Sequence, residues 1–491
     1  VIGIDNVTPG AVTINTTGLL SSSSNLKAGT HTGIQSVTTL GGTDAANYGF
    51  AGATANYTVT TKPITLIGIT AANKIYDGNT TATAVIPDDR LGGDVLTVGY
   101  SASFSDRHVA AGKTVTLSGI NLSGADAGNY SLGATSGSTS ADITQLASVA
   151  WTGAGGNTLW SNAANWTGNA IPDRANVAAV NLGTAAVTYD YSGLLAPDAA
   201  ILSSASGTGS LALAGGTLTM GGTLMIPTWF QTAGNLAGTG GLTVTQSMSM
   251  SGPGTINVGG PVSINHTGNL LLGSIGAGTL SATATGNIAL ASPLGSSGDM
   301  DLTATGGVLA IGQPVTAANL TLDGATLNIS APVVANGDLA AAGSAVNINS
   351  SISAQNVILG ASNLSIGNAS GIHAYNHLLA AVTGNASITG GYIKTTNGDL
   401  EMIVGGNLDI SNGGTIWAGF GSPGLPYPDV SIAAGGHLTL NNGATINAAN
   451  DVYVDMLGVT STLVLNDGTV AYAPSYILSD INTGVIGTTH V

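Results

Sequence analysis

Beyond about residue 200 the chain repeats triplets in which two apolar residues flank a polar one, as in Leu320-Thr321-Leu322, Leu327-Asn328-Ile329, Val346-Asn347-Ile348 and Leu364-Ser365-Ile366. A period of two puts Leu, Ile or Val on one side of a strand and Thr, Asn, Asp or Ser on the other. The openings Asn319-Leu320-Thr321-Leu322, Gly337-Asp338-Leu339-Ala340 and Asn356-Val357-Ile358-Leu359 recur at a near-constant interval. Similar openings stand at Gly268-Asn269-Leu270, Gly286-Asn287-Ile288, Gly398-Asp399-Leu400, Gly406-Asn407-Leu408 and Gly436-His437-Leu438. This interval fits one coil of a parallel β-helix, whose short strands stack on those of the next coil roughly 4.8 Å away. Each coil alone buries little; stacking supplies a continuous core and lets Asn and Thr form side-chain ladders at equivalent turns. An antiparallel hairpin array is the competing arrangement, but it does not by itself explain the period.

The first 146 residues carry a longer repeat. Asp44-Ala45-Ala46-Asn47-Tyr48 recurs as Asp126-Ala127-Gly128-Asn129-Tyr130, and Lys27-Ala28-Gly29-Thr30 is echoed by Ala110-Ala111-Gly112-Lys113. Such a period, several times that of a coil, is normal for a bead in a tandem array. Short strands around Lys62–Leu66, Val95–Val98, Ala102–Phe104, Val115–Leu117 and Tyr130–Leu132, parted by Gly and Asp turns, predict small β-sandwiches. The expected fold is therefore all-β: a partial sandwich module over 1–61, a complete one over 62–146, a junction over 147–175 and a parallel β-helix shaft over 176–491. Three of the five tryptophans, Trp151, Trp160 and Trp166, fall within sixteen residues of the junction. Two roles fit them: capping the open end of the solenoid, or stacking on sugar.

Composition narrows the function. Hydrophobic residues make up 43% of 491, enough for a core and too many for a disordered chain, while the 74 glycines lack the period of three of collagen. A net charge of -16 argues against nucleic acid as a partner. After Arg174 the one Lys or Arg is Lys394, against thirteen Asp and Glu401, a poor supply of helix-forming surface residues. There is no cysteine, and no apolar run reaches the roughly 18 residues of a membrane helix. The chain begins Val1-Ile2-Gly3 and reads as a piece of something longer.

The run Lys74-Ile75-Tyr76-Asp77-Gly78-Asn79-Thr80-Thr81-Ala82, closed by Ala125-Asp126-Ala127-Gly128-Asn129-Tyr130, is similar to the YDG/MBG type of immunoglobulin-like module. With the Gly-Asn/Asp-Leu coils, it resembles the two-partner-secretion exoproteins, the filamentous haemagglutinin-like adhesins. That resemblance implies a secreted protein on the bacterial outer cell surface, adhesive in cell contact or biofilm matrix. It also implies an outer-membrane secretion partner for the full-length chain; the secretion domain itself is not evident, so an interior or C-proximal segment is expected. The partners expected are a polysaccharide or a cell-surface or matrix protein, with lateral self-association of the rods. The alternatives are a polysaccharide-binding or polysaccharide-degrading β-helix, or a passive spacer with a binding tip elsewhere.

No enzyme is expected. Asp299 with Asp301, Asp399 with Glu401, and Asp451 with Asp455 are spaced to share a strand face, but acid–base chemistry needs convergent carboxyls in a cleft, and solubilising outer-face acids are the expectation. Without an EF-hand loop or the Gly-Gly-x-Gly-x-Asp nonapeptide series, no dedicated metal site and no cofactor is predicted beyond weak cation association. His373 and His377 fall in 371–377, which reads as a turn or short excursion between strand triplets. The segment 416–429 interrupts the triplets with three prolines and the aromatics Trp417, Phe420 and Tyr427. These aromatics either form a recognition surface or fold back over the shaft.

Overall fold

A computed structural model describes residues 1–193, 198–419 and 428–457, and the backbone of strands Leu463–Asn466, Thr469–Val470 and Ser475–Ser479. The chain is all-β and divides into two compact units, Val1–Leu146 and Ala147–Val491. The first unit holds small sandwich-like sheets, the second a long parallel β-solenoid.

In the first unit, Thr97–Phe104, Ala110–Ser123 and Gly137–Thr144 form an antiparallel sheet, completed by a parallel pairing with Lys74–Ile75. Lys62–Ile64 pairs with Tyr130–Leu132, and Ile64, Leu96 and Tyr130 form a core cluster there. The Tyr76-Asp77-Gly78-Asn79 run folds around an ammonium group. Lys74 Nζ donates to Asp77 Oδ1 at 2.7 Å, to the carbonyl of Asn79 at 2.8 Å, to Asn79 Oδ1 at 3.1 Å and to the carbonyl of Thr81 at 3.1 Å, while Tyr76 is buried. Gly78 takes φ 80°, a left-handed turn conformation that favours glycine.

The recurring Asp-Ala-x-Asn-Tyr segment is a clamp built twice. Tyr48 donates its hydroxyl to Asp5 Oδ2 at 2.8 Å and accepts the Ile2 amide; Tyr130 donates to Asp94 Oδ2 at 2.6 Å and accepts the Leu91 amide. Asp44 accepts the amide of Asn6 as Asp126 accepts that of Val95, each at 2.8 Å. The second clamp also holds the loop 22–28 of the preceding module: Asp126 Oδ1, Asp94 Oδ1 and Asn129 Oδ1 accept the amides of Ser22, Ser23 and Ala28. Burial pushes the Asp94 carboxyl up, but hydrogen bonds from Ser23, Tyr130 and Ser21 outweigh it and leave it lowered to about 2.

The solenoid coils have three faces, each lined by inward apolar residues. In one coil Leu320 and Leu322, then Leu327 and Ile329, then Val333 and Ala335 point inward, none more than 4% exposed. The first two faces come from one bent strand, Leu320–Ile329, in the larger sheet, and the third from Val333–Ala335 in a second, smaller one. Sequence alternation shows two strands per coil; the third is only three residues long and, as Val333-Val334-Ala335, lacks a polar middle. Leu320, Leu339, Val357 and Leu378 are successive Cα partners, so these coils are of nearly equal length.

A solenoid's first coil leaves a strand edge of unpaired amides and carbonyls. Here the tryptophan-rich segment covers it: Trp151 donates its amide to the carbonyl of Asn181, Trp160 donates to that of Thr188, and Thr188 donates to that of Thr158. Trp160 and Trp166 are fully buried, with ring centroids 4.8 Å apart. Trp166 meets Trp151 edge-on, and Trp160 meets Tyr189. The indole N–H of Trp160 donates to the carbonyl of Pro172, and that of Trp166 to the carbonyl of Trp160. Neither Trp160 nor Trp166 has an open ring face for a sugar; Trp151 is half-buried.

Candidate functional site

The corner between the smaller sheet and the first face of the larger one carries a ladder of polar side chains. Asp299 accepts from Asn319 Nδ2 at 2.8 Å, Asn319 Oδ1 accepts the Asp338 amide at 2.9 Å, and Asp338 accepts from Asn356 Nδ2 at 2.7 Å. Asn356 Oδ1 then accepts the His377 amide at 3.2 Å, and farther along Asp399 and Asp429 accept the amides of Asp429 and Asp451. At the next corner Asn363, Asn385 and Asn407 accept the amides of Asn385, Asn407 and His437. The side chain of one coil thus satisfies an amide that the turn of the next leaves without a strand partner.

This accounts for the glycine of several Gly-Asn/Asp-Leu openings, though not of Gly268 or Gly398. A Cβ on Gly337 would stand 2.3 Å from Asn319 Oδ1, on Gly406 2.4 Å from Asn385 Oδ1, and on Gly436 2.3 Å from Asn407 Oδ1. Glycine is favoured there because a side chain would displace the ladder oxygen of the coil beneath and break its bond to the next amide.

Beside the first ladder runs a groove of about 630 Å³ that spans five coils, from Asn319 to Glu401. One wall is the ladder itself, through Asp338, Asn356, His377 and Asp399; the floor is the outward column Thr321, Ala340, Ile358, Leu379 and Glu401. Ile358 is 58% exposed. The sequence signal for this apolar floor is the loss of alternation in Val357-Ile358-Leu359 and Leu378-Leu379-Ala380, where an outward position holds an aliphatic residue.

The spaced carboxylates mostly take local partners. Asp299 bonds Asn319, Asp301 accepts from the Thr303 hydroxyl at 2.9 Å, and Asp451 from the Tyr453 hydroxyl at 3.1 Å. Asp455 lines a smaller groove of about 210 Å³ with Glu401 and Tyr453. In the larger groove, Asp338 stands three coils from Asp399, about 14 Å, beyond the reach of a pair flanking one glycosidic bond. Asp399 and Glu401 are about 7 Å apart along one strand, and Asp399 Oδ1 is committed to the Asp429 amide.

The reading of 371–377 as a turn is corrected. Gly371–Ala374 is a strand of the smaller sheet, and only Tyr375 to His377 turn the corner. The four-residue spacing therefore separates the imidazoles: His377 faces the groove, while His373 points out from the smaller sheet, 2.7 Å from Thr396 Oγ1. Burial, then the charge of Lys394, pushes the His373 imidazole down.

The interruption at 416–429 lengthens one coil. Leu378, Leu400, Val430 and Val452 are successive strand partners, and the step from Leu400 to Val430 is longer than the step on either side of it. Trp417 lies in strand Thr415–Ala418, half-buried and outward between Lys394 and Asn447. Phe420 and Tyr427 lie outside the described residues.

Residues 60–140 match the family model of the YDG domain. No curated protein and no solved structure matches the chain.

Proposed function

We propose that this chain is a non-catalytic, adhesive segment of a secreted bacterial surface protein, in which the solenoid supplies the contact face and the YDG-type beads set its spacing. The observation that carries the reading is the five-coil groove with the exposed Ile358 and neighbouring Leu379 on its floor. A shallow apolar strip edged by hydrogen-bonding Asn, Asp and His side chains suits many weak contacts with an extended partner, a polysaccharide or a matrix protein. The resemblance to filamentous haemagglutinin-like exoproteins supports export through an outer-membrane partner and a place in cell contact or biofilm matrix. Lateral association of like solenoids belongs to the same reading.

The test is adhesion of the 491-residue protein to surfaces coated with polysaccharide or matrix protein. Ile358→Asp and Leu379→Asp, both outward, are expected to reduce retention several-fold with the thermal transition intact. Undiminished retention in both variants would sink the groove as the contact face.

A further inference from the structure

The outward side of the smaller sheet carries a second grouping, none of whose residues lines the groove. Lys394 is the one Lys or Arg beyond Arg174, in a stretch with fourteen acidic side chains. No acid occurs between Asp338 and Asp399 in sequence, and among the described residues the Lys394 ammonium meets no carboxylate. It lies instead 5.0 Å from the centroid of the Tyr392 ring. Strand register sets His373 on one side of Lys394 and Trp417 on the other, each about 4.8 Å away along the solenoid. His373 packs against Tyr375, ring centroids 4.6 Å apart, and Tyr375 is 42% exposed. Gly371 is the strand partner of Tyr392, and a Cβ on it would stand 2.0 Å from the Tyr392 carbonyl oxygen and 2.8 Å from its Cγ, so the two coils approach here only because that position lacks a side chain.

We propose that this face binds a carboxylate-bearing sugar, a uronic-acid type of residue in a polysaccharide whose charges are widely spaced. Tyr392 and Tyr375 stand four residues, about 13 Å, apart along the strand direction, so the ring faces of Trp417, Tyr392 and Tyr375 accept the C–H sides of successive pyranoses, and the Lys394 ammonium pairs with the carboxylate of one of them. His373 and Thr396 offer hydrogen-bonding groups to its hydroxyls. One cation matches one carboxylate. A densely charged polymer such as heparin or nucleic acid needs several cations and meets a chain of net charge -16. A neutral sugar uses the rings and leaves Lys394 without a role.

The experiment is calorimetric titration of the 491-residue protein with a hyaluronan oligosaccharide, in which each uronate alternates with a neutral amino sugar. A chitin oligosaccharide of the same length serves as the neutral probe and a heparin oligosaccharide as the dense one. Hyaluronan is expected to bind, with Lys394→Gln weakening it about tenfold, Trp417→Ala weakening it comparably and Lys394→Arg retaining it. The neutral probe is expected to bind wild type about as weakly as hyaluronan binds Lys394→Gln. Ile358→Asp in the groove is expected to leave hyaluronan binding unchanged, which separates this site from the groove. The proposal is overturned by absence of hyaluronan binding, by equal binding in Lys394→Gln, by a neutral probe that binds as well, or by tighter binding of heparin.

Discussion

The beads and the solenoid meet the same requirement, partners for the backbone amides and carbonyls that tight turns leave over, with different chemistry. In Val1–Leu146, which holds six of the eight Lys and Arg residues, carboxylates serve amides from distant points in the chain and an ammonium serves the carbonyls of its own turn. Examples are Asp94 with Ser23 and Tyr130, Asp89 with Thr65 and Lys62, and Lys74 within its ring of oxygens. In Ala147–Val491 the partner comes from the equivalent position one coil earlier, and it is often a neutral asparagine. A bead builds each clamp once around a small core, so it relies on charge-assisted bonds, individually about twice as strong as neutral ones. The solenoid repeats a weaker bond many times over a core that continues from coil to coil. The two units should therefore fail under different insults.

The largest expected effect breaks the core column. Leu322→Asp places a carboxylate at a fully buried position, at a cost of about 5 kcal/mol. Calorimetry should show the solenoid transition lost and that of Val1–Leu146 retained; simultaneous loss of both would mean that the units are not held separately.

Next is the bead clamp. Tyr130→Phe removes the hydroxyl that donates to Asp94 and accepts the Leu91 amide, a loss of about 2 to 3 kcal/mol in denaturant melts. Its pH signature has a definite sign. The Asp94 carboxyl is lowered from 3.8 to about 2 in the folded unit, so its stabilisation is whole above the unfolded value and is lost as pH falls from 3.8 through 2. The bead transition should weaken over that window, less steeply in Tyr130→Phe, while the neutral ladder Asn363, Asn385 and Asn407 has no proton to gain. Equal pH slopes in the two proteins would remove Asp94 from the account.

Gly337→Ala tests the ladder. Its Cβ collides with Asn319 Oδ1, and the expected loss is about 1 to 3 kcal/mol. Asn319→Ala removes the obstructing oxygen, so the double variant should be more stable than the sum of the two single losses predicts. Simple additivity would show that the glycine serves another purpose.

The smallest effect has the opposite sign. Thr395 occupies a buried position where strand partners in neighbouring coils hold Ala374 and Ala418, and among the described residues its hydroxyl has no hydrogen-bond partner. Thr395→Val keeps the shape and removes the unsatisfied group, and should raise the solenoid melting temperature by the equivalent of about 1 kcal/mol. A lower melting temperature would mean that the hydroxyl is bonded.

Most of the fold was legible because period two and the coil repeat are local properties of the chain. The Gly-Asn/Asp-Leu openings mark the corners of the coils, those at 337 and 398 opening the first face and those at 268, 286, 406 and 436 the second, and the repeated Asp-Ala-x-Asn-Tyr marks the beads. In the Leu320 coil the third face stayed hidden because Val333-Val334-Ala335 is too short and too uniformly apolar to show alternation. The reason for the glycines was hidden too, since it depends on which asparagine lies beneath in the previous coil. Surfaces were harder still. Ile358 and Leu379 come together only through stacking, and Lys394 meets His373 and Trp417 across coils of unequal length, so neither grouping is contiguous in sequence. Trp417 was picked out for its company with Phe420 and Tyr427, whereas its described strand neighbours are Lys394 and Asn447.

The central claim is that the solenoid holds an extended partner without altering it. Its most direct test incubates a size-defined polysaccharide retained by the immobilised 491-residue protein, then measures in one sample the amount held and the length of the released polymer. Retention with unchanged length, and reduced retention by Ile358→Asp, is the predicted result. Progressive shortening of the polymer that stops in Glu401→Gln would contradict it and make the groove a hydrolytic or lytic site.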